Sequence, residues 1–220
     1  MIIAVDGSAA SGKGTLAKRL ASHFNLAHLD TGSLYRCLAL HLLESGYLPE
    51  NIEEVVAVGA VPGLDLSVAD SQAIRTDAVA GMASIVAAMP VVRQNFVAFQ
   101  RQFATNTPGH DGAILDGRDI GSVILPEADF KFFIDADLEE RARRRSRELQ
   151  DAGQSVMFRD VLEDMRDRDR RDRERSTAPL TAAAGAMIID TTRLDADGVF
   201  SAALSHIEHQ REQRTEGPAD

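Results

Sequence analysis

The chain has 220 residues, 44% of them apolar and 26% charged, which suits one sizeable core and excludes wholesale disorder. Twenty-four basic against thirty-four acidic side chains leave a net charge of −10, whose mean field repels phosphate, so no nucleic-acid partner is expected. One cysteine, Cys37, excludes an internal disulfide and a multi-cysteine zinc site. The opening residues lack the basic segment of a secretory signal, and the longest uncharged run, residues 78–92, is broken by Gly81, Ser84 and Pro90. A cytoplasmic monomer without a membrane partner is expected.

Residues 2–6 form a short apolar run, the pattern of a strand buried on both faces. After a glycine-rich turn, Leu16, Leu20 and Phe24 share one stripe of a helix predicted over 13–24. Residues 27–29 read as a second strand, and Asp30 and Thr31 can cap a helix that runs to about Ser45 and stops at Gly46. Cys37 shares that helix's apolar face with Leu34, Leu38, His41 and Leu42 and reads as a small core residue. A weak helix over 51–58 and a short alternation at Leu64 and Leu66 follow. Helices are then predicted over 77–88 and 90–103, the second with Pro90 in its first turn. Beyond a loop at 105–112, residues 113–116 and 130–134 read as buried strands. Asp137 with Glu140 makes the capping-box pattern of a helix running toward Gly153. Residues 158–175 form a charge-dense helix, 186–189 a last strand and 195–209 a closing helix; the tail after Arg211 is expected to fray. Five strands separated by helices imply an α/β fold of three layers, its mostly parallel sheet covered on both faces.

The strongest motif is Gly7-Ser8-Ala9-Ala10-Ser11-Gly12-Lys13-Gly14-Thr15, placed between the first predicted strand and the first predicted helix. Glycines let the backbone curl so that successive N–H groups point inward as an anion nest, and the helix N-terminus adds its positive end. Lys13 supplies a point charge to the β- and γ-phosphates of ATP, and the Thr15 hydroxyl can reach Mg²⁺ or its waters. A glycine-rich turn that binds nothing is the plain alternative; the flanking strand and helix favour the phosphate loop (P-loop). None of the three lysines stands in the Asn/Thr-Lys-x-Asp setting by which regulatory GTPases read guanine, and no Leu-Ser-Gly-Gly-Gln stretch suggests a transporter ATPase.

Twenty-one of the 24 basic residues are arginine. When one nucleotide phosphate approaches another, their repulsion must be cancelled before in-line displacement can begin. The acceptor phosphate oxygen is already a competent nucleophile, so a fork-shaped cationic clamp is needed rather than a general base. An arginine that stabilises transition-state charge supplies about 10³ to 10⁵ in rate, roughly 4 to 7 kcal/mol. Residues 159–175 hold seven arginines and seven acids. One stripe at 100° per residue runs Val161, Met165, Arg168, Asp172, Arg175, apolar at its start and charged from Arg168 onward. It reads as a helix that packs at its base and projects a lid over a polar site. The plain alternative is a surface helix laced with pairs such as Arg168–Asp172, worth about 0.3–0.5 kcal/mol each. Two weaker groups remain. His206, Glu208 and His209 lack a further zinc ligand and read as exposed, while Arg141, Arg144 and Arg145 serve either donor phosphates or the nearby Glu139, Glu140 and Glu148.

The Gly-Lys-Gly-Thr ending resembles that of nucleoside monophosphate kinases. Several segments together look like bacterial cytidylate kinase: residues 7–15, 29–36 (LDTGSLYR), 74–93, 115–128 (LDGRDIGSVILPEA) and 168–180 (RDRRDRERSTAPL). The resemblance implies a single P-loop kinase domain over 1–220, with a core at about 1–45, 90–155 and 178–210, a lid at about 156–177 and a monophosphate-binding segment at about 46–89. That segment is shorter than the strand-rich insert of the family's long form. It implies ATP and CMP or dCMP as substrates, Mg²⁺ as cofactor, and Lys13, Arg118, Arg168 and Arg175 as catalytic residues. By the same resemblance, Thr31 stands at the acceptor site where serine is usual. Arg36, Arg118 and Arg175 hold the acceptor phosphate, Ser84, Arg93 and Asp119 line the cytosine pocket, and Arg168 and Asp172 reach ribose and phosphates. Cytosine presents an amine donor and ring acceptors, which a carboxylate and an arginine complement, a pairing worth about 1–3 kcal/mol of discrimination. Asp116, ending an apolar strand, either holds a water of the magnesium shell or caps the following turn. A kinase for UMP or another small acceptor and a non-catalytic nucleotide-binding regulator are the alternatives.

Overall fold

The apolar runs pair side by side into one sheet in the computed structural model, which describes residues 1–215. The strands are β1 (Ile2–Gly7), β2 (Ala27–Asp30), β3 (Ala113–Gly117), β4 (Phe130–Asp135) and β5 (Met187–Asp190), all parallel, in the order β2-β3-β1-β4-β5. Alternation along β1 builds the layers. Ile3 and Val5 face a core with Leu16, Leu20, Ala203 and Ile207, carried by α1 (Lys13–His23) and α8 (Ala196–Thr215). Ala4 between them faces the other way, onto Ala104, Leu115, Ile120 and Ile124. Ala104 belongs to α5 (Pro90–Thr105), and Ile120–Ile124 forms a π-type turn after β3. These helices, with α2 (Thr31–Glu44), α3 (Glu54–Ala60), α4 (Asp77–Val86), α6 (Leu138–Asp151) and α7 (Phe158–Glu174), complete the fold among the described residues.

From β1 the chain crosses outward to β2, then returns to β3 and passes back over β1 to β4. The reversal leaves a crevice beyond the carboxyl ends of β1 and β3, the place where open parallel sheets bind ligands. Asp6 ties the two strand ends together. Its carboxylate accepts the N–H groups of Ile120 (2.7 Å) and Gly121 (2.8 Å), and burial pushes its pKa up to about 6.

Three local expectations are corrected. Leu64 and Leu66 form no strand; the stretch folds into short 3₁₀ turns, and the two leucines pack on the cluster around α2 and α4 because no neighbouring strand offers a ladder. Asp137 precedes α6 without a side-chain cap: Glu140 is drawn to Arg143 and Arg144, and the Asp137 N–H donates to Thr192 Oγ1 at 2.9 Å. The closing helix continues through Arg211 to Thr215; the part of the expected frayed tail beyond it lies outside the described residues. Among the described residues, no single helix is long and apolar enough to cross a membrane.

Candidate active site

β1 runs into the glycine-rich loop at Gly7, where a Cβ would fall 2.0 Å from the Ile134 carbonyl oxygen of β4; only glycine lets the strands close here. Gly12, at φ 93°, turns the chain into α1, and Ala10 holds φ 56°, a left-handed conformation uncommon for a residue with a side chain. Side chains stitch the loop from within. Ser8 Oγ donates to Asp135 Oδ1 (2.5 Å), and Ser11 Oγ and Lys13 Nζ donate to the Ser8 carbonyl (3.0 and 3.4 Å). Burial, reinforced by Arg118, lowers the Lys13 pKa from 10.5 to about 8. Among the described residues, no carboxylate is hydrogen-bonded to the ammonium.

In front of the loop lies a cavity of about 190 Å³ walled by Lys13, Gly14, Asp30, Arg36, Asp116, Arg118, Arg145 and Arg168. A smaller one of about 60 Å³ shares Arg36, Gly117, Arg118 and Arg168 with it and adds Thr31, Tyr35, Ser84, Arg93, Asp119, Asp172 and Arg175. On the far side of the loop, a third of about 350 Å³ is bounded by Gly12, Thr15, Arg144, Thr191 and Asp195. The acceptor-side residues expected from sequence therefore converge, although they come from five separate stretches of chain. Thr15 opens on the third cavity, away from Thr31.

Four of the arginines are each hydrogen-bonded to a separate partner. Arg36 Nη1 donates to the Ile74 carbonyl (3.0 Å), and Arg118 Nε to Asp172 Oδ2 (2.9 Å). Arg93 donates to Asp119 Oδ2 and, through Nη1, to the Ala87 carbonyl (3.0 Å). Arg175 Nε donates to the Ala178 carbonyl (2.6 Å), while its other nitrogens stand 4.0 Å from Asp119 and from Asp172. Arg168 Nε and Arg175 Nη2 are buried and have no hydrogen-bond partner among the described residues. Burial, with Arg118 and Arg36 nearby, lowers the Arg168 pKa to about 9. Burial pulls Arg118 down as well, but Asp172, Asp116 and Asp30 outweigh it and hold its pKa raised. Guanidinium groups are fork-shaped donors whose geometry matches carboxylate and phosphate oxygens.

α7 follows its stripe. Val161 and Met165 pack on Ala142 and Leu149 of α6, and from Arg168 the stripe enters the crevice. Asp172 is spent on Arg118 of another segment rather than on a surface pair with Arg168. The arginines of α6 divide. Arg141 is 2% exposed and makes a bidentate pair with Asp169 of α7 (3.0 and 2.5 Å), so it is structural and does not serve the glutamates. Arg144 grips Glu140 and Thr191 at the third cavity, and Arg145 pairs with Asp77 (2.8 Å) and Glu148 (3.3 Å) at the edge of the first. His209 is exposed, whereas His206 is half-buried edge-on against Phe132, so the terminal histidines are not both surface residues.

Thr31 Oγ1 donates to the Asp116 carbonyl (2.8 Å), and the Asp116 carboxylate meets His28 Nε2 (2.8 Å); among the described residues no hydrogen bond to the following turn accompanies it. Ser84 Oγ accepts from Arg171 Nε of α7 (3.1 Å). Sequence reasoning missed Asp6, His28, Tyr35, Asp169 and Arg171 as parts of the site and its supports. Of these, only Asp6, a carboxylate ending a strand buried on both faces, carries a signal visible in the sequence.

A parallel sheet whose first strand passes through a glycine-rich loop into a helix, facing confined arginines across a crevice, defines a P-loop phosphotransferase. The chain belongs to the cytidylate kinase family, whose profile matches residues 3–209. It is 51% identical to the cytidylate kinase of Methylocella silvestris over 208 residues, 94% of each chain. It is 48% identical to that of Bradyrhizobium diazoefficiens over 217 residues, 99% of this chain and 100% of its relative. An uncharacterized protein from Eubacterium ventriosum, of solved structure, shares the fold at a TM-score of 0.53 and 17% identity, covering 94% of this chain and 98% of its own.

Proposed function

We infer that this chain moves the γ-phosphoryl group of ATP to CMP or dCMP, giving CDP or dCDP and ADP. The observation that carries the reading is the shared wall of Arg36, Arg118 and Arg168, which joins the cavity before the phosphate loop to the one holding Arg93 and Asp119. Residues 7–15 take the donor phosphates, with Lys13 on the β- and γ-groups. Arg36, Arg118 and Arg175 take the acceptor phosphate, and Ser84, Arg93 and Asp119 read the cytosine edge. Arg168 and Asp172 reach ribose and phosphates, with Thr31 at the acceptor site. The buried unpaired donors on Arg168 and Arg175 suit an incoming oxyanion that the protein alone does not supply. Residues 156–177 serve as the lid and 46–89 as a reduced monophosphate-binding segment. Closing the lid excludes water that would otherwise hydrolyse ATP.

The donor set fits Mg²⁺. A Cβ placed on Gly14 would lie 3.9 Å from Asp116 Oδ1, so a hard carboxylate oxygen borders the phosphate loop one residue before Thr15. Asp116 and Thr15 would hold the ion through its waters, and the ion would neutralise phosphate charge. Phosphoryl transfer from ATP to CMP, dCMP, UMP and AMP, measured side by side, tests the reading. CMP and dCMP are expected to lead; preference for UMP or AMP, or ATP binding without transfer, overturns it.

A further inference from the structure

β2 is an edge strand, and its residue His28 stands level with Ile114 of β3, two residues before Asp116. A diagonal neighbour on the same face is within reach of a long side chain, and the imidazole spans the gap: His28 Nε2 lies 2.8 Å from Asp116 Oδ2. An ionised carboxylate can only accept, so the proton of this bond sits on His28 Nε2. The bond is shielded, since the Asp116 side chain is 4% exposed and that of His28 18%. With Oδ2 engaged and the main-chain carbonyl held by Thr31 Oγ1, Oδ1 is the Asp116 oxygen that has no hydrogen bond among the described residues, and that is the atom bordering Gly14 of the phosphate loop.

We propose that His28 is a positioning residue for the phosphoryl-transfer centre: by holding Asp116 Oδ2 it presents Oδ1 to the hydrated divalent cation that accompanies the donor nucleotide. The proposal rests on the assignment of Asp116 to that cation. His28 itself touches neither nucleotide nor metal; it sets which carboxylate rotamer faces the loop. Because Asp116 reaches the ion through water, the expected effect lies at the low end of the about 10- to 100-fold that partners of direct metal ligands contribute. A leucine cannot make the bond, an asparagine falls short of it, and a glutamine places an amide N–H close to where Nε2 lies.

The test measures binding of a non-hydrolysable ATP analogue to the intact chain with Mn²⁺ and with EDTA, following Mn²⁺ by water-proton relaxation. In His28→Leu the dissociation constant of the Mn²⁺-loaded analogue is expected to rise about tenfold while that of the metal-free analogue stays unchanged. His28→Gln should recover to within about threefold of the wild type. Should His28→Leu fail to fold by circular dichroism, His28→Asn carries the same expectation. The proposal is overturned if the folded variant keeps the full metal-dependent gain, or if the metal-free affinity falls equally. Asp116→Ala separates the two levels. If it weakens Mn²⁺ binding and His28→Leu does not, His28 alone is misassigned; if neither does, the assignment of Asp116 fails.

Discussion

Asp169→Ala should unfold this protein more readily than any comparable change on the outer face of α7. Both Asp169 oxygens accept from Arg141, whose Nε also donates to the Ala136 carbonyl (2.8 Å) and whose Nη1 makes a long contact with the Ala9 carbonyl of the phosphate loop (3.4 Å). Truncation leaves a guanidinium almost wholly out of water, its nearest remaining carboxylate being Asp135 at 3.8 Å. Breaking a buried pair from one side costs about 3–5 kcal/mol. Asp135 offsets part of this, which places the expectation near 3 kcal/mol, or about 6–12 °C in melting temperature for a chain of this size. Urea unfolding and thermal melts at pH 7 measure both quantities. Because apolar replacement of a whole buried pair is often neutral, Arg141→Met combined with Asp169→Leu should regain most of the loss. A single variant within about 1 kcal/mol of wild type, or a double variant no better than the single one, would refute the reasoning.

Lys13→Ala is expected to lower turnover by about 10² to 10³ or more. Its melting temperature should be unchanged or slightly raised, because the partly buried ammonium is held at a cost; wild-type rates in a coupled ADP assay would remove its role. Asp119→Ala should cut kcat/KM for CMP by about 10- to 100-fold and leave the KM for ATP unchanged; equal effects on the two substrates would show that it does not read the base. The Asp6 carboxyl, lifted by burial from 3.8 to about 6, favours the folded state when protonated. Its contribution to stability is therefore full below pH 4 and lost as pH rises through about 6. At about 1.4 kcal/mol per pH unit, the wild type should lose about 3 kcal/mol relative to Asp6→Asn between pH 3.5 and 7. A constant difference across that range in urea titrations would contradict it.

The sheet, the phosphate loop and the two faces of α7 are legible in the amino-acid sequence, because each is a local pattern. A β-branched run, a glycine spacing and a 100° stripe report backbone geometry and the direction of burial over a few residues. The arginine clamp is legible only through resemblance to a family, since nothing local distinguishes Arg118, which faces the crevice, from Arg143 on the surface. The capping pattern at Asp137 failed because two arginines one turn on competed for Glu140, and the alternation at Leu64 and Leu66 failed because a strand needs a neighbour. Arg141 with Asp169, His28 with Asp116 and Arg171 with Ser84 are separated by 28, 88 and 87 positions. Composition and periodicity carry no information at that range; strand order and helix packing do. The sequence by itself determined which segments curl, pleat or coil and that a phosphate loop opens the fold. Only the tertiary structure decided which charges face one another, because a partner is chosen by burial and by distance across the sheet, and neither exists until the layers close.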